Sequence, residues 1–424
     1  MAEKDIISTL PDEILCHILS FLQTKEVDAT TILSKRWKNI WRSVSNVFID
    51  ASIENENSNP AFINFVNSVL FSRAALPIKS FHLQVSYDDG FEFPIKNFTN
   101  WINYVVQRGV ECLNLYVCSK SYPKLPITVL TCKTLVVLKL NNIRVEQSCF
   151  SSVLLPSLKT FHLGYVDFPK LRDFMIFLKG CPVLQDLHSF DVMFDSMESL
   201  TCNEWKDFLL SNLTRANIDC YENYFPVKAV HNVASLRFYY CQRRYYHNDL
   251  IPTFYNLTQL ELLCLDYSKE FILDVLNHCP KLQKLDLTEF DPTNKEVCAR
   301  KDDKTSWLFP DVVPQCLSLH LRTCNLFCFS GLHGELMLAS YILKNASVLQ
   351  TMKIWISGKQ MPAIKRTLAA AAVPMASSMC GKIMDNRVMT LWFSEIMMWK
   401  GSVAEFGYAG GSGMSSKLIW VSKV

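Results

Sequence analysis

Two hydrophobic periods divide the chain. Near the start, Leu15, Ile18, Leu19 and Leu22 fall at i, i+3, i+4 and i+7, one apolar stripe along a helix. Pro11, Asp12 and Glu13 suit the first turn of that helix, where a missing N–H costs nothing and negative charge meets the positive end of the dipole. Thr9 with Asp12 three residues on has the spacing of a capping box. Thr24 is placed to cap a short second helix through Val27 towards Leu33, and Ser34 a third carrying Trp37, Ile40, Trp41 and Val44 on one face. From about residue 78 to 357 the period shortens to alternation. Leu135-Val-Val-Leu138-Lys-Leu140, Leu158-Lys-Thr-Phe161-His-Leu163, Leu184-Gln-Asp-Leu187, Leu260-Glu-Leu-Leu263-Cys-Leu265 and Leu282-Gln-Lys-Leu285-Asp-Leu287 share one pattern. Looser copies end at Leu115, Ile218, Phe238 and Ile354.

The final positions 115, 140 and 163 lie 25 and 23 residues apart, and 265 to 287 is 22, a spacing in the leucine-rich-repeat range. Each alternating piece predicts a short strand with its leucines inward, followed by a return stretch. The segments 177–184 and 275–282 are matching returns, a helical turn stopped by Cys-Pro. No single unit buries its own face, so the units must stack, with spacings wandering between about 20 and 29 residues. Residues between the leucines, such as Lys139, His162 and Asp286, are expected to point outward on the concave strand face. The aromatic and Arg-bearing stretch 238–246 is a candidate partner contact or an insertion loop.

Composition narrows the function. Charged residues are 20% of the 424, and 43 Lys and Arg against 40 Asp and Glu leave +3, too balanced for a chain whose business is coating nucleic acid or an acidic membrane. Sixteen Cys are scattered, several in strand-like runs such as Val110-Glu111-Cys112-Leu113, where a free thiol acts as a small hydrophobe. A reducing compartment, cytoplasm and/or nucleus, is expected. No signal peptide and no apolar run of membrane-spanning length is visible.

About forty residues with so many apolar side chains exceed what a unit of that size buries alone, so a partner is expected over some of them. The residues themselves carry a resemblance here. Leu10-Pro11-Asp12-Glu13-Ile14-Leu15-Cys16-His17-Ile18-Leu19-Ser20-Phe21-Leu22 followed by Leu33-Ser34-Lys35-Arg36-Trp37 resembles an F-box. The resemblance implies docking to a SKP-type adaptor, and through it to cullin and RING subunits of an SCF-type ubiquitin ligase. It assigns the adaptor contact to Leu10, Pro11, Ile14, Leu15, Ile18, Leu19, Leu22, Val27, Leu33 and Trp37, some of which also serve the motif's own core. Residues 314–321 open another strand-rich segment, a helix and a strand follow through Ile354, and this resembles the FBD segment of plant F-box/FBD/LRR-repeat proteins. Residues 373–380 are a degraded copy of its ending, and 381–424 match no pattern.

The expected fold class is α/β: a three-helix F-box (1–50), a helical linker (51–77), an irregular leucine-rich-repeat arc (78–310), an FBD-like segment (311–380) and a divergent, poorly ordered tail (381–424). His320, Cys324, Cys328 and His333 are candidate zinc ligands, but their spacing is loose and no second cluster supports them, so no metal and no cofactor are expected. No phosphate loop, nucleophile elbow or His-Glu-x-x-His motif occurs. The expectation is a non-catalytic substrate receptor holding an unidentified protein target, without nucleic acid or membrane. An adaptor-binding scaffold and a repeat-based small-molecule sensor are the rivals.

Overall fold

The computed structural model describes residues 7–55, 58–73, 76–88, 93–120, 122–146, 153–196, 208–219, 225, 227–240, 251–264, 269–289, 312–329, 333–357, 402–409 and 416–423. They belong to two compact units, 1–213 and 214–424.

The first unit opens with three short helices, α1 (Asp12–Leu19), α2 (Thr24–Ala29) and α3 (Trp37–Ser43), with a 3-10 turn at Thr30–Ile32. Leu15, Leu19, Val27, Trp37, Ile40, Trp41 and Val44 form one buried cluster, with Leu10 and Cys16 packed against its edge. The caps differ from those the spacing predicts. Pro11 precedes α1 without a side-chain cap, Gln23 and Glu26 close the capping box of α2, and α3 begins after Arg36, not at Ser34. Thr24 is used otherwise: its buried hydroxyl accepts the Phe48 N–H at 2.8 Å and ties α2 to the first strand.

Six parallel strands follow: β1 (Asn46–Ile53), β2 (Ser80–Tyr87), β3 (Cys112–Cys118), β4 (Val137–Asn141), β5 (Thr160–Gly164) and β7 (Asp186–Phe190). Register aligns the buried pairs Val47/Ile49, Phe81/Leu83, Leu113/Leu115, Leu138/Leu140 and Phe161/Leu163, so each repeat places its leucines over those of the last. The repeats therefore start earlier than residue 78. Val44-x-x-Val47-x-Ile49 is the first copy, and the linker expected over 51–77 is a strand end followed by α4 (Ser58–Phe71). Spacing also exceeds the expected range, at 34 residues from Ile49 to Leu83 and 32 from there to Leu115. The cause is the return segments, which here are full helices, α4 and α5 (Ile95–Gln107). They meet through Phe62 edge-on to Trp101, whose indole N–H donates to Asn67 Oδ1 at 2.8 Å.

One buried cation joins the helical module to the repeats. Arg73, just past α4, donates from Nη1 to the Val44 carbonyl and lies over the Trp41 ring at 5.4 Å. Burial lowers its pKa to about 10, which leaves it protonated at neutral pH.

After β4, β5 and β7 the chain turns through Asn142, Tyr165 and Asp191, all at positive φ. A side chain there costs roughly 1–2 kcal/mol. Lateral bonds hold two of these turns, Asn142 N–H to Gly164 O and Tyr165 N–H to Phe190 O, both 3.0 Å. The turns lead into a second, smaller parallel pair, β6 (Asp167–Lys170) with β8 (Met193–Ser196). The return helix α6 (Leu171–Lys179) stops before Cys181-Pro182 as its sequence predicts, with Cys181 buried.

The second unit repeats the scheme with β9 (Arg215–Asp219), β10 (Ser235–Tyr240), β11 (Gln259–Cys264), β12 (Lys284–Glu289), β13 (Thr323–Phe329) and β14 (Thr351–Ser357), all parallel. Helix α7 (Lys269–Asn277) ends before the second Cys-Pro. The leucine frame at 260–265 is corrected: Leu260 and Leu262, not Leu263 and Leu265, align with Leu285 and Leu287. The motif there is Leu257-x-x-Leu260-x-Leu262, three residues upstream, and a run of adjacent leucines hid the phase. The strand-rich segment expected to open at 314–321 holds β13 and β14 but begins with a helical turn. Pro314 opens a helical turn, α8 (Gln315–Leu319), because proline is no loss at a helix start, and Cys316 and Leu317 are buried in it. Helix α9 (His333–Asn345) and β14 match the helix and strand predicted for the end of that segment.

Within the tail expected to be poorly ordered, β15 (Ser402–Ala409) and β16 (Ser416–Lys423) pair antiparallel, β16 also pairing antiparallel with β14. The Gly-rich run at 410–413 separates two strand-length alternating pieces, a hairpin signal that lacks any leucine period. The degraded FBD ending at 373–380 and the stretch 241–246 lie outside the described residues. No described helix is long and apolar enough to cross a membrane.

Candidate functional site

Helix α1 carries two apolar stripes side by side. Leu15 and Leu19, four apart, are buried at 0% and 2% exposure, while Ile14 and Ile18, also four apart and one position over, are 46% and 45% exposed. The pattern continues past the helix, where Phe21 and Leu22 are exposed. The 3-10 turn after α2 does the same for Ile32 and Leu33, at 87% and 62%. Seven of the 21 exposed large apolar side chains among the described residues lie between Ile7 and Leu33. Single exposed leucines are ordinary on any protein surface, but such a density on helices whose own core is already closed marks a surface for a partner.

The ten residues assigned to adaptor contact thus fall into two groups. Leu15, Leu19, Val27 and Trp37 lie in the core of the helical module, have no surface to offer, and fix the helices in place. Pro11, Ile14, Ile18, Leu22 and Leu33 are exposed, and Leu10 is half-buried at the core's edge. Phe21 and Ile32, each adjacent to a residue assigned from the sequence, are exposed as well. The signal for them was the length of the apolar run, which exceeds one helical stripe.

Polar groups hold this surface in shape. Arg36 donates from Nε to Asp12 Oδ1 at 2.9 Å and from Nη2 to the Leu10 carbonyl at 2.5 Å, joining the starts of α3 and α1. Both partners are substantially exposed, so the ion pair contributes orientation more than stability. Ser20 Oγ donates to the His17 carbonyl at 2.7 Å and closes α1, and the His17 ring meets Phe21 edge-on at 5.0 Å. Burial, then Asp12 and Glu13, pushes the Cys16 thiol up, so this half-buried cysteine stays neutral beside the surface.

The open face of the first unit's sheet is the second candidate surface. Register sets Phe48, His82, Asn114, Lys139, His162 and His188 in one row across β1, β2, β3, β4, β5 and β7. Lys139 and His162 are half-buried there, on the face the alternation assigned them. Phe48 stacks on His82 at 5.7 Å, and Asn114 Nδ2 lies 3.2 Å from His82 Nδ1. Burial, and then Lys139, lowers the pKa of His82 and favours its neutral ring. Asp286 holds the equivalent position on β12 but is buried, between Lys284 Nζ at 2.7 Å and Asn325 Nδ2 at 2.6 Å. Of the zinc quartet suggested by His320, Cys324, Cys328 and His333, the side chains of Cys328 and His333 lie outside the described residues. Cys324 points to the buried face, because it occupies a leucine position of its repeat, and burial raises its thiol pKa.

Comparison with known proteins finds similarity along three parts of the chain. The F-box domain family matches residues 7–48, the LRR repeats of the FBD-associated F-box protein At5g56370 match residues 98–203, and the FBD family matches residues 310–354. The F-box/LRR-repeat protein At4g14103 of Arabidopsis thaliana is 38% identical over 195 residues, 45% of this chain and 50% of its own length. The F-box/FBD/LRR-repeat protein At4g26340 of the same plant is 28% identical over 395 residues, 82% of this chain and 92% of its own. The FBD-associated F-box protein At5g56370 is 29% identical over 391 residues, 82% of this chain and 89% of its own. The match thus spans half of the first relative and most of the other two. With helices that present an apolar face, stacked leucine strands and the FBD match after those, the chain is similar to the plant F-box/FBD/LRR-repeat proteins over most of its length.

Proposed function

We propose that the chain is a substrate-recognition subunit of an SCF-type ubiquitin ligase, working in the cytoplasm and/or nucleus. Its N-terminal helices dock a SKP-type adaptor, which links it to cullin and RING subunits, while the repeats and the FBD segment hold a target protein. The observation that carries this reading is the exposed Ile14, Ile18, Phe21, Leu22, Ile32 and Leu33 on helices whose own core is already filled. Mechanism here is proximity. A lysine of the captured target is held at high effective concentration near the charged ubiquitin-conjugating enzyme, and the transfer chemistry belongs to other subunits.

Co-purification tests the docking half. The full chain is expected to retain a SKP-type adaptor, and Ile18→Asp to lose it while keeping its circular dichroism, since Ile18 lies outside the core cluster. Retention of the adaptor by a folded Ile18→Asp chain refutes the assignment. Reconstituted ubiquitination of a captured target separates a receptor from a scaffold that binds the adaptor and delivers nothing.

A further inference from the structure

We infer that His162, Asp186 and His188 form a binding site for a zinc-type divalent cation on the open strand face of the first unit. This site stands apart from the helices that dock the adaptor, and it does not depend on that reading. His162 lies on β5 and is paired by register with His188 on β7, and Asp186 precedes His188 by two residues, so alternation sends all three side chains to one face. One donor atom from each lies within 4.8 Å of the other two. His188 Nε2 and Asp186 Oδ1 are 3.1 Å apart. In a tetrahedral site with metal–nitrogen and metal–oxygen bonds of about 2.0–2.2 Å, donors sit about 3.3–3.5 Å from each other, so the gap left to close is a rotamer adjustment. The two imidazoles already face each other, with ring centroids 4.1 Å apart and planes 35° apart.

The donor chemistry selects the ion. Two imidazoles and one carboxylate suit zinc and its late first-row neighbours, whereas calcium and magnesium require mostly oxygen. Three protein ligands leave a fourth position for water or for a donor from a bound molecule. Burial is graded to match: the Asp186 side chain is 12% exposed and that of His188 41%, so the carboxylate lies beneath an imidazole that solvent reaches. Neighbouring groups fix the charge around the site. Thr160, paired by register with Asp186, is neutral, and Lys139, paired with His162, carries its charge on a flexible four-carbon stem.

The test uses the full chain stripped with a chelator and titrated with Co²⁺, then Zn²⁺. We expect one equivalent of Co²⁺ to bind with the visible absorption of a tetrahedral N/O site and to be displaced by Zn²⁺. His162→Ala and His188→Ala should each weaken binding by more than the ~10–100-fold that loss of an outer-shell partner costs. Equal affinity in wild type and both folded variants overturns the inference, because the thiols would then be the ligands. A second measurement needs no substitution. Zn²⁺ should shield His162 and His188 of the wild-type chain from acylation by diethyl pyrocarbonate, read by mass spectrometry, and unchanged modification of both overturns the site.

Discussion

Truncating Leu15 and Ile18 in turn should give opposite phenotypes, although they sit three residues apart on α1. Leu15 is fully buried in the cluster with Leu19, Val27 and Trp37. Leu15→Ala removes that packing and leaves a cavity, a loss of about 2–5 kcal/mol that falls on the stability of the helical module. Ile18 is 45% exposed, so a little under half of its surface remains for a partner to cover. Full burial of an isoleucine is worth about 1.5–3 kcal/mol, so Ile18→Ala should cost about 1 kcal/mol of adaptor binding, close to fivefold in Kd, with a much smaller loss of folding stability than Leu15→Ala. Ile18→Asp adds a carboxylate to a desolvated contact and should cost several kcal/mol more, beyond a hundredfold. Calorimetric titration with a SKP-type adaptor, beside urea unfolding of each variant, separates the two effects. Should Ile18→Ala unfold the module, or Leu15→Ala leave its stability unchanged, the inward and outward stripes have been assigned to the wrong residues.

Gly180 and Gly164 make a graded pair for urea unfolding. A Cβ on Gly180 would stand 2.7 Å from the Val153 carbonyl oxygen, which moves only with the backbone, so Gly180→Ala should cost about 1–3 kcal/mol. At Gly164 the closest atom is the side-chain nitrogen of Asn141, which can swing away, so Gly164→Ala should cost less. Burial pushes the Cys181 and Cys316 thiols up to about 12, so neither should react with iodoacetamide at pH 8 in the folded chain, while exposed Cys118 should, as read by peptide mass spectrometry. The sign follows for stability. These groups hold their protons more tightly when folded, so their contribution is complete below the free-thiol pKa near about 8.5 and declines as pH rises towards about 12.

The strand repeats and the helical start were legible in the sequence because each rests on a short period repeated several times. Boundaries were less so. Val47, Ile49 and Ile53 alternate as clearly as later strands, but they directly follow the apolar face of α3, and the helical period masked the change. At 260–265 five apolar residues in six positions fit two phases equally, and only lateral pairing with Leu285 and Leu287 selects one. Dividing the F-box residues into core and surface required the angle at which α1 lies on α3, which spacing leaves open. The His162, Asp186 and His188 group was within reach: all three occupy the positions flanking the inward residues Phe161 and Leu187, and reading those positions across neighbouring repeats brings them together.

Hydroxyl-radical footprinting of the full chain, alone and with a SKP-type adaptor, tests the central claim most directly. The account predicts that oxidation of Ile14, Ile18, Phe21 and Leu33 falls on adding the adaptor, while that of exposed Tyr116 on β3 is unchanged. Protection of Tyr116 with the four N-terminal side chains still oxidised would contradict it.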